Sequence, residues 1–184
     1  MRVITGSARG IRLKTPDGLK TRPTSDRVKE AVFSIIQFEV EGARFLDLFA
    51  GTGQMGIEAL SRGAASAVFV DGWKDACGLV RENLRLTRLS DRAKVVNADY
   101  LSYLKHPAEV FDIIFLDPPY AEIFLENALN RISEIDILSD RGIIICERPA
   151  EKQLDLDIPG LQRCRDYRYG KTWITVFRKE SQLI

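Results

Sequence analysis

From Arg44 onward the chain alternates short, almost wholly apolar runs with longer amphipathic ones, and this alternation limits its fold more than any other feature. Runs such as Ile113–Leu116 and Gly142–Cys146 hold no polar side chain. They suit strands covered on both faces, and the amphipathic segments between them supply the covering helices. Strands are predicted over Arg44–Phe49, Ala67–Asp71, Lys94–Asn97, Phe111–Asp117 and Arg141–Glu147. Helices are predicted over Gln54–Arg62, Lys74–Thr87 and Glu122–Ile135, with a short one over Asp99–Lys105. This is a series of βαβ units on a mostly parallel sheet with helices on both faces.

Both ends of the chain change style. Leu161–Tyr169 and Lys171–Arg178 are rich in aromatic and β-branched residues and flank Gly170, which predicts a closing hairpin. Arg2–Leu13 alternates and is broken by Gly6 and Gly10, which predicts a small hairpin. Thr24 or Ser25 would cap a helix running through Val28, Ala31, Val32 and Ile35. The expectation is a single domain of 184 residues, with an appendage over 1–40 on an α/β core over 41–184. A chain of that length buries enough apolar surface to hold a core without disulfides.

Composition removes several classes. Cys77, Cys146 and Cys164 are odd in number and lack metal-ligand spacing, so reduced cytoplasmic thiols and no metal are expected. The single histidine, His106, reads as a loop residue. No apolar run approaches the length needed to cross a bilayer, and Met1-Arg2-Val3-Ile4 does not open a signal peptide, so no membrane partner is expected.

The sharpest local signal is Asp47-Leu-Phe49-Ala-Gly51-Thr-Gly53-Gln-Met-Gly56, which follows a strand and opens a helix. Glycines there permit a tight turn and let a ligand approach the backbone beside a helix N-terminus. Asp71 ends the next strand, 18 residues after Gly53, where an acid takes ribose hydroxyls in nucleotide-binding βαβ folds. The spacing alone also fits a dehydrogenase. Asp47 weighs against that, because a carboxylate would repel a pyrophosphate but would attract the ammonium of S-adenosylmethionine. Asp99 stands where it could meet an adenine amino group or simply cap a helix. A loop that needs its glycines only for packing is the plainer alternative.

The second signal is Asp117-Pro118-Pro119-Tyr120 at the carboxyl end of a strand, the edge where open α/β sheets hold ligands. Two prolines remove two backbone donors and keep the chain extended. An acid followed by such carbonyls accepts hydrogen bonds without offering any, which suits an exocyclic amine, and Tyr120 offers a flat face for the base. Taken alone, the motif is also a simple strand-ending turn.

With both motifs in place the chain resembles the class I, Rossmann-like S-adenosylmethionine-dependent methyltransferases that modify amino groups. The stretches Arg2-Val-Ile-Thr-Gly6-Ser-Ala-Arg9-Gly10 and Arg22-Pro-Thr24-Ser-Asp26-Arg27-Val-Lys29-Glu30-Ala-Val-Phe33 are similar to those of the RsmD family, the bacterial 16S rRNA (guanine-N2) methyltransferases. Tyr169-Gly-Lys171-Thr172 resembles that family's terminal hairpin. The resemblance covers nearly the whole chain. It implies a seven-stranded sheet with an antiparallel C-terminal hairpin, S-adenosyl-L-methionine as cofactor, and methylation of a guanine N2 in an assembling small ribosomal subunit. It also implies that Asp47, Gly51 and Gly53 serve the methionyl end, with Phe49 also at the cofactor, Asp71 the ribose, Asp99 the adenine, and Asp117, Pro118, Pro119 and Tyr120 the target base. One departure is Asp71 itself, where the family more often has glutamate. Other readings are an amino-methyltransferase on DNA, tRNA or a protein glutamine, and a non-catalytic ribosome-assembly factor.

The formal net charge of +1 conceals a division. Residues 1–29 hold eight basic side chains against two acidic ones, a net +6, so the rest of the chain is mildly acidic. A basic appendage on a base-modifying core predicts RNA contact through Arg9, Arg12, Arg22, Thr24, Asp26, Arg27 and Lys29, with Arg22, Asp26 and Lys29 either touching phosphate or lining the site mouth, and with binding that weakens steeply in salt. A solvated basic face is the competing reading.

Overall fold

The computed structural model describes residues 1–16, 26–107, 109–119, 122–151 and 157–180. In chain order the elements are α1 (Asp26–Ile35), β1 (Arg44–Asp47), α2 (Gln54–Ser61), β2 (Ser66–Asp71), α3 (Lys74–Thr87), β3 (Ala93–Asn97), α4 (Tyr100–Lys105), β4 (Phe111–Leu116), α5 (Glu122–Ile135), β5 (Leu138–Pro149), β6 (Leu161–Tyr169) and β7 (Thr172–Lys179). Among the described residues the seven strands form one sheet in the order β3-β2-β1-β4-β5-β7-β6. The first five pair in parallel, and β7 runs antiparallel to both β5 and β6. Strand order reverses between β1 and β4, so two loops diverge there and leave a crevice at the carboxyl edge.

Alternation along each strand feeds two cores. Phe45, Phe69, Ile113, Phe115, Ile143 and Ile145 face α1, α2 and α3. Leu46, Val68, Ile114, Leu116, Ile144 and Cys146 face α4 and α5. With both faces covered, the central strands need no polar side, and this is why they read as unbroken apolar runs. β5 extends beyond the predicted Arg141–Glu147 at both ends, because Leu138 pairs with Phe111 and Pro149 with Thr172.

The N-terminal residues are fastened to this body rather than projecting from it. Arg2 and Arg12 form one antiparallel bridge, and Val3, Ala8 and Leu13 join the core cluster of α1, α2 and α3. Glu58 of α2, wholly buried, accepts the backbone N–H groups of Ile4 at 2.8 Å and Thr5 at 3.0 Å, and Arg62 Nε at 2.9 Å. Lys29 Nζ lies 3.4 Å from the same carboxylate and donates to the Arg2 carbonyl at 2.5 Å. Asn83 of α3 donates to the carbonyls of Lys14 and Thr52, and so ties the N-terminal segment to the glycine loop. The proposed α1 caps, Thr24 and Ser25, lie outside the described residues.

This packing corrects one expectation. Lys29 is 0% exposed, so its ammonium serves Glu58 and a backbone carbonyl and cannot reach a phosphate. Burial pulls its pKa down, and the charge of Glu58 opposes that pull. Removing one partner of such a pair leaves an uncompensated buried charge. Glu58→Ala is therefore expected to destabilise the fold by about 3–5 kcal/mol in urea unfolding, and Lys29→Met with Glu58→Gln by less. Equal losses in the single and double variants would mean that the charge pairing is not what holds the segment.

Candidate active site

Strand pairing brings the two motifs together. β1 ends at Asp47 opposite Phe69 of β2 and Phe115 of β4, so the glycine loop leaves the sheet between the ends of those two strands. Leu48 N–H donates to the Phe115 carbonyl at 3.2 Å, and Ala50 N–H to that of Val70 at 3.0 Å, which pins the start of the loop to both neighbours. Gly53 adopts φ 76° as it opens α2, a backbone state that L side chains rarely take. A Cβ on Gly56 would lie 2.3 Å from the Phe69 ring, so that position lets α2 settle onto β2. Nothing lies within 4 Å of where a Cβ on Gly51 would stand.

Two carboxylates frame the loop. Asp47 is buried and accepts one bond from the Gly56 N–H at 3.1 Å. Burial is the main cause that pushes its pKa up to about 7, with the nearby Asp71 charge adding and the Gly56 N–H opposing. Asp71 accepts the Gly51 N–H on one oxygen and the Trp73 N–H on the other, both at 2.8 Å. It therefore sets the loop and the start of α3 in fixed relation. Trp73, at the N-cap of α3, is 73% exposed beside it.

Asp99 is the N-cap of α4. One of its oxygens accepts the N–H groups of Leu101 at 3.0 Å and Ser102 at 3.2 Å. This is the helix-cap reading of Asp99; the bonds to α4 use a single oxygen, and the cap stands at the carboxyl end of β3. Next to it an aromatic row runs from Phe49 to Tyr100 (centroids 5.0 Å apart) and on to Phe124 of α5 (5.8 Å, edge to face). Tyr100 and Phe124 did not emerge from motif spacing. An aromatic residue directly after a capping acid at this edge is the signal that points to Tyr100.

Asp117, Pro118 and Pro119 follow β4 at the same edge, Asp117 and Pro118 half-buried and Pro119 exposed. Tyr120 lies outside the described residues, as do Arg22 and Thr24. Of the remaining basic-appendage residues, Arg9, Arg12, Asp26 and Arg27 are exposed. Asp26 lies 3.9 Å from Arg2. Lys29 is the one that turns inward.

The donor set fits a cationic amino-acid ligand with an adenosine tail. Among the described residues no cation pairs with this buried carboxylate, Asp47, whose pKa is raised, and an ammonium would supply one. The open space over Gly51 gives such a ligand room beside the backbone. Among the described residues no cluster of His, Cys, Asp and Glu could hold a metal ion, and no helix is long and apolar enough to cross a membrane.

Comparison with known proteins covers nearly the whole chain. Residues 1–178 match the family described as Conserved hypothetical protein 95. YlbH of Bacillus subtilis (strain 168) is 41% identical, over 98% of this chain and 100% of its own length. Ribosomal RNA small subunit methyltransferase D of Escherichia coli (strain K12) is 32% identical over 99% of this chain and 91% of its own. The solved structure of yhhF from Escherichia coli superposes with a TM-score of 0.88 at 34% identity, covering 99% of both chains.

Proposed function

The chain belongs to the RsmD family of small-subunit rRNA methyltransferases, and we propose that it methylates the exocyclic N2 amine of one guanine in 16S rRNA within an assembling or assembled 30S particle. The observation that supports this reading is the pairing of β1 with β4, the strands that lead into the glycine loop after Asp47 and into Asp117–Pro119. S-adenosylmethionine supplies an electrophilic sulfonium methyl.

The chain's own residues have two tasks. On the cofactor side Asp47 holds an ammonium, Gly51 and Gly53 admit the ligand to the backbone, and Phe49 gives an apolar edge. There Asp71 receives ribose hydroxyls and Asp99 the adenine amine through its remaining acceptor capacity. On the substrate side Asp117 and the carbonyls that follow accept the N–H donors of the target amine, with Pro118 and Pro119 presenting no competing N–H. Those bonds favour a pyramidal nitrogen and aim its lone pair at the methyl. The nitrogen turns acidic only as its fourth bond forms, so its proton can leave to Asp117 without a strong base. Catalysis is then mainly positioning and electrostatic preorganisation. Tyr120 stacks on the base. Residues 1–40 act as an RNA-binding appendage to the catalytic part over 41–184, with Arg9, Arg12, Arg22, Thr24, Asp26 and Arg27 towards RNA. Such a protein works in the cytoplasm beside its ribosomal substrate.

The test is transfer of labelled methyl onto 30S particles from a strain lacking this enzyme, beside free rRNA, with nucleoside mass spectrometry and mapping. N2-methylguanosine at one position, formed faster on particles, is expected. Label recovered on any other base or on protein would overturn the reading.

A further inference from the structure

We propose that the tip of the C-terminal hairpin, through Arg168 and Lys171 beside Trp173, is a second RNA-docking surface that grips phosphates flanking the target base. This rests on the rRNA reading above and adds a contact away from the basic N-terminal segment.

The first observation is which charges the fold itself engages. Residues 161–179 hold six basic side chains and one acidic. Arg163 pairs with Asp166, Arg178 with Glu39, and Lys179 with Asp136 and Asp140. Arg165, Arg168 and Lys171 have no carboxylate within 4 Å among the described residues. Arg165 lies over the Tyr167 ring, 5.7 Å from its centroid.

The second is where those charges stand. β7 begins at Thr172 opposite Pro149, the last residue of β5, so the turn before it lies at the same sheet edge as Asp117. β4 and β7 are two strand spacings apart, about 10 Å. The other flank, β2 and β3, carries Asp71 and the approach to Asp99. Substrate RNA therefore has the β5–β7–β6 flank open to it, and the hairpin tip is on that side.

The third is how the tip is built. Arg148, Trp173 and Arg168 are direct cross-strand neighbours on β5, β7 and β6. Both guanidiniums lie over the indole, 5.4 Å and 5.9 Å from its centroid. Arg148 is buried and tied to Thr175 and Asp166, and the indole N–H donates to the Ala150 carbonyl. Arg168 is exposed, and its Nε donates to the Gly170 carbonyl at 3.3 Å. Its planar cation is thus ordered before any ligand arrives, and a guanidinium is well matched to phosphate. Charges along an edge strand also prevent strand-on-strand aggregation, which accounts for Arg163 and Arg165. It does not account for an arginine laid on an indole at the strand's end, followed by a lysine in the turn. Basic side chains interleaved with aromatic ones are the pattern of a surface that tracks a nucleic-acid backbone.

The experiment compares wild type, Arg168→Gln with Lys171→Gln, and a control, Arg85→Gln with Lys94→Gln, that removes two charges from the opposite flank. Methyl transfer onto 30S particles is measured over a series of salt concentrations, with filter binding to the same particles. The hairpin variant is expected to raise KM for the particle about tenfold and to reduce the salt slope by about 2, one per lost phosphate contact. Its kcat, its affinity for S-adenosylmethionine and its melting temperature stay at wild-type values, and the control keeps the wild-type slope. Wild-type KM and slope in the hairpin variant, with wild type active, refute the docking surface and leave the assigned reaction standing. A loss of kcat or melting temperature at an unchanged slope refutes it as well. Wild-type enzyme that neither methylates nor binds the particle overturns the assigned reaction together with this surface.

Discussion

Methyl transfer by Asp117→Ala is expected to fall by about 10²–10³-fold, while S-adenosylmethionine binds with wild-type affinity. Asp117 stands just beyond β4 and outside both core clusters, so its truncation opens no cavity under the sheet. Asp47 and Asp71, the carboxylates proposed to hold the cofactor, belong to β1 and β2, and their bonds to Gly56, Gly51 and Trp73 do not pass through Asp117. What is lost is an acceptor aimed at the developing charge on nitrogen, an interaction made fully only in the transition state. Asp117→Asn keeps one acceptor oxygen but adds two donors where the target amine offers donors of its own, so it falls between alanine and wild type. Single-turnover transfer onto 30S particles, beside calorimetry of the cofactor, separates the two steps. Equal single-turnover rates in wild type and alanine variant would remove Asp117 from the mechanism.

The parts of this protein legible in the sequence are those whose cause is local. Unbroken apolar runs gave away β1, β2, β4 and β5 because both faces of each are covered. The spacing of Asp47, Gly53 and Gly56 was readable because a tight turn, a positive φ and a close approach to Phe69 each demand a particular residue type at one place. Lys29 is illegible for the opposite reason. It sits in a basic run, and a charge count along the chain cannot foresee that α2 brings Glu58 beneath it from 29 positions away. The same averaging hid the hairpin cations, whose charge is cancelled in the total by acids elsewhere in the core. The row from Phe49 to Tyr100 to Phe124 joins three loops and helices that only the folded sheet assembles.

Asp47→Asn should stabilise the ligand-free protein above neutral pH and weaken the binding of S-adenosylmethionine by about 100-fold, an effect on the scale of one lost charge-assisted bond in a buried site. In the unfolded chain this carboxyl titrates near 4, as an ordinary aspartate does. In the fold, burial raises its pKa to about 7. Between about pH 4 and about pH 7 the folded state keeps a proton that the unfolded state has released, so stability falls as pH rises through that window. The loss is complete above the folded value and amounts to about 4 kcal/mol at most. Asparagine carries no such proton, so the variant's stability lacks this slope. A bound ammonium reverses the balance by favouring the ionised carboxylate. Cofactor affinity in the wild type therefore rises as pH climbs towards about 7, by up to about tenfold per pH unit and with proton release. The two effects have opposite signs from one carboxylate: the charge that costs the empty fold its stability is the charge proposed to hold the ligand. Calorimetry in two buffers of different ionisation enthalpy reads the released proton directly. A wild-type affinity that does not change with pH, or proton release that persists in Asp47→Asn, would place the ammonium contact elsewhere in the site.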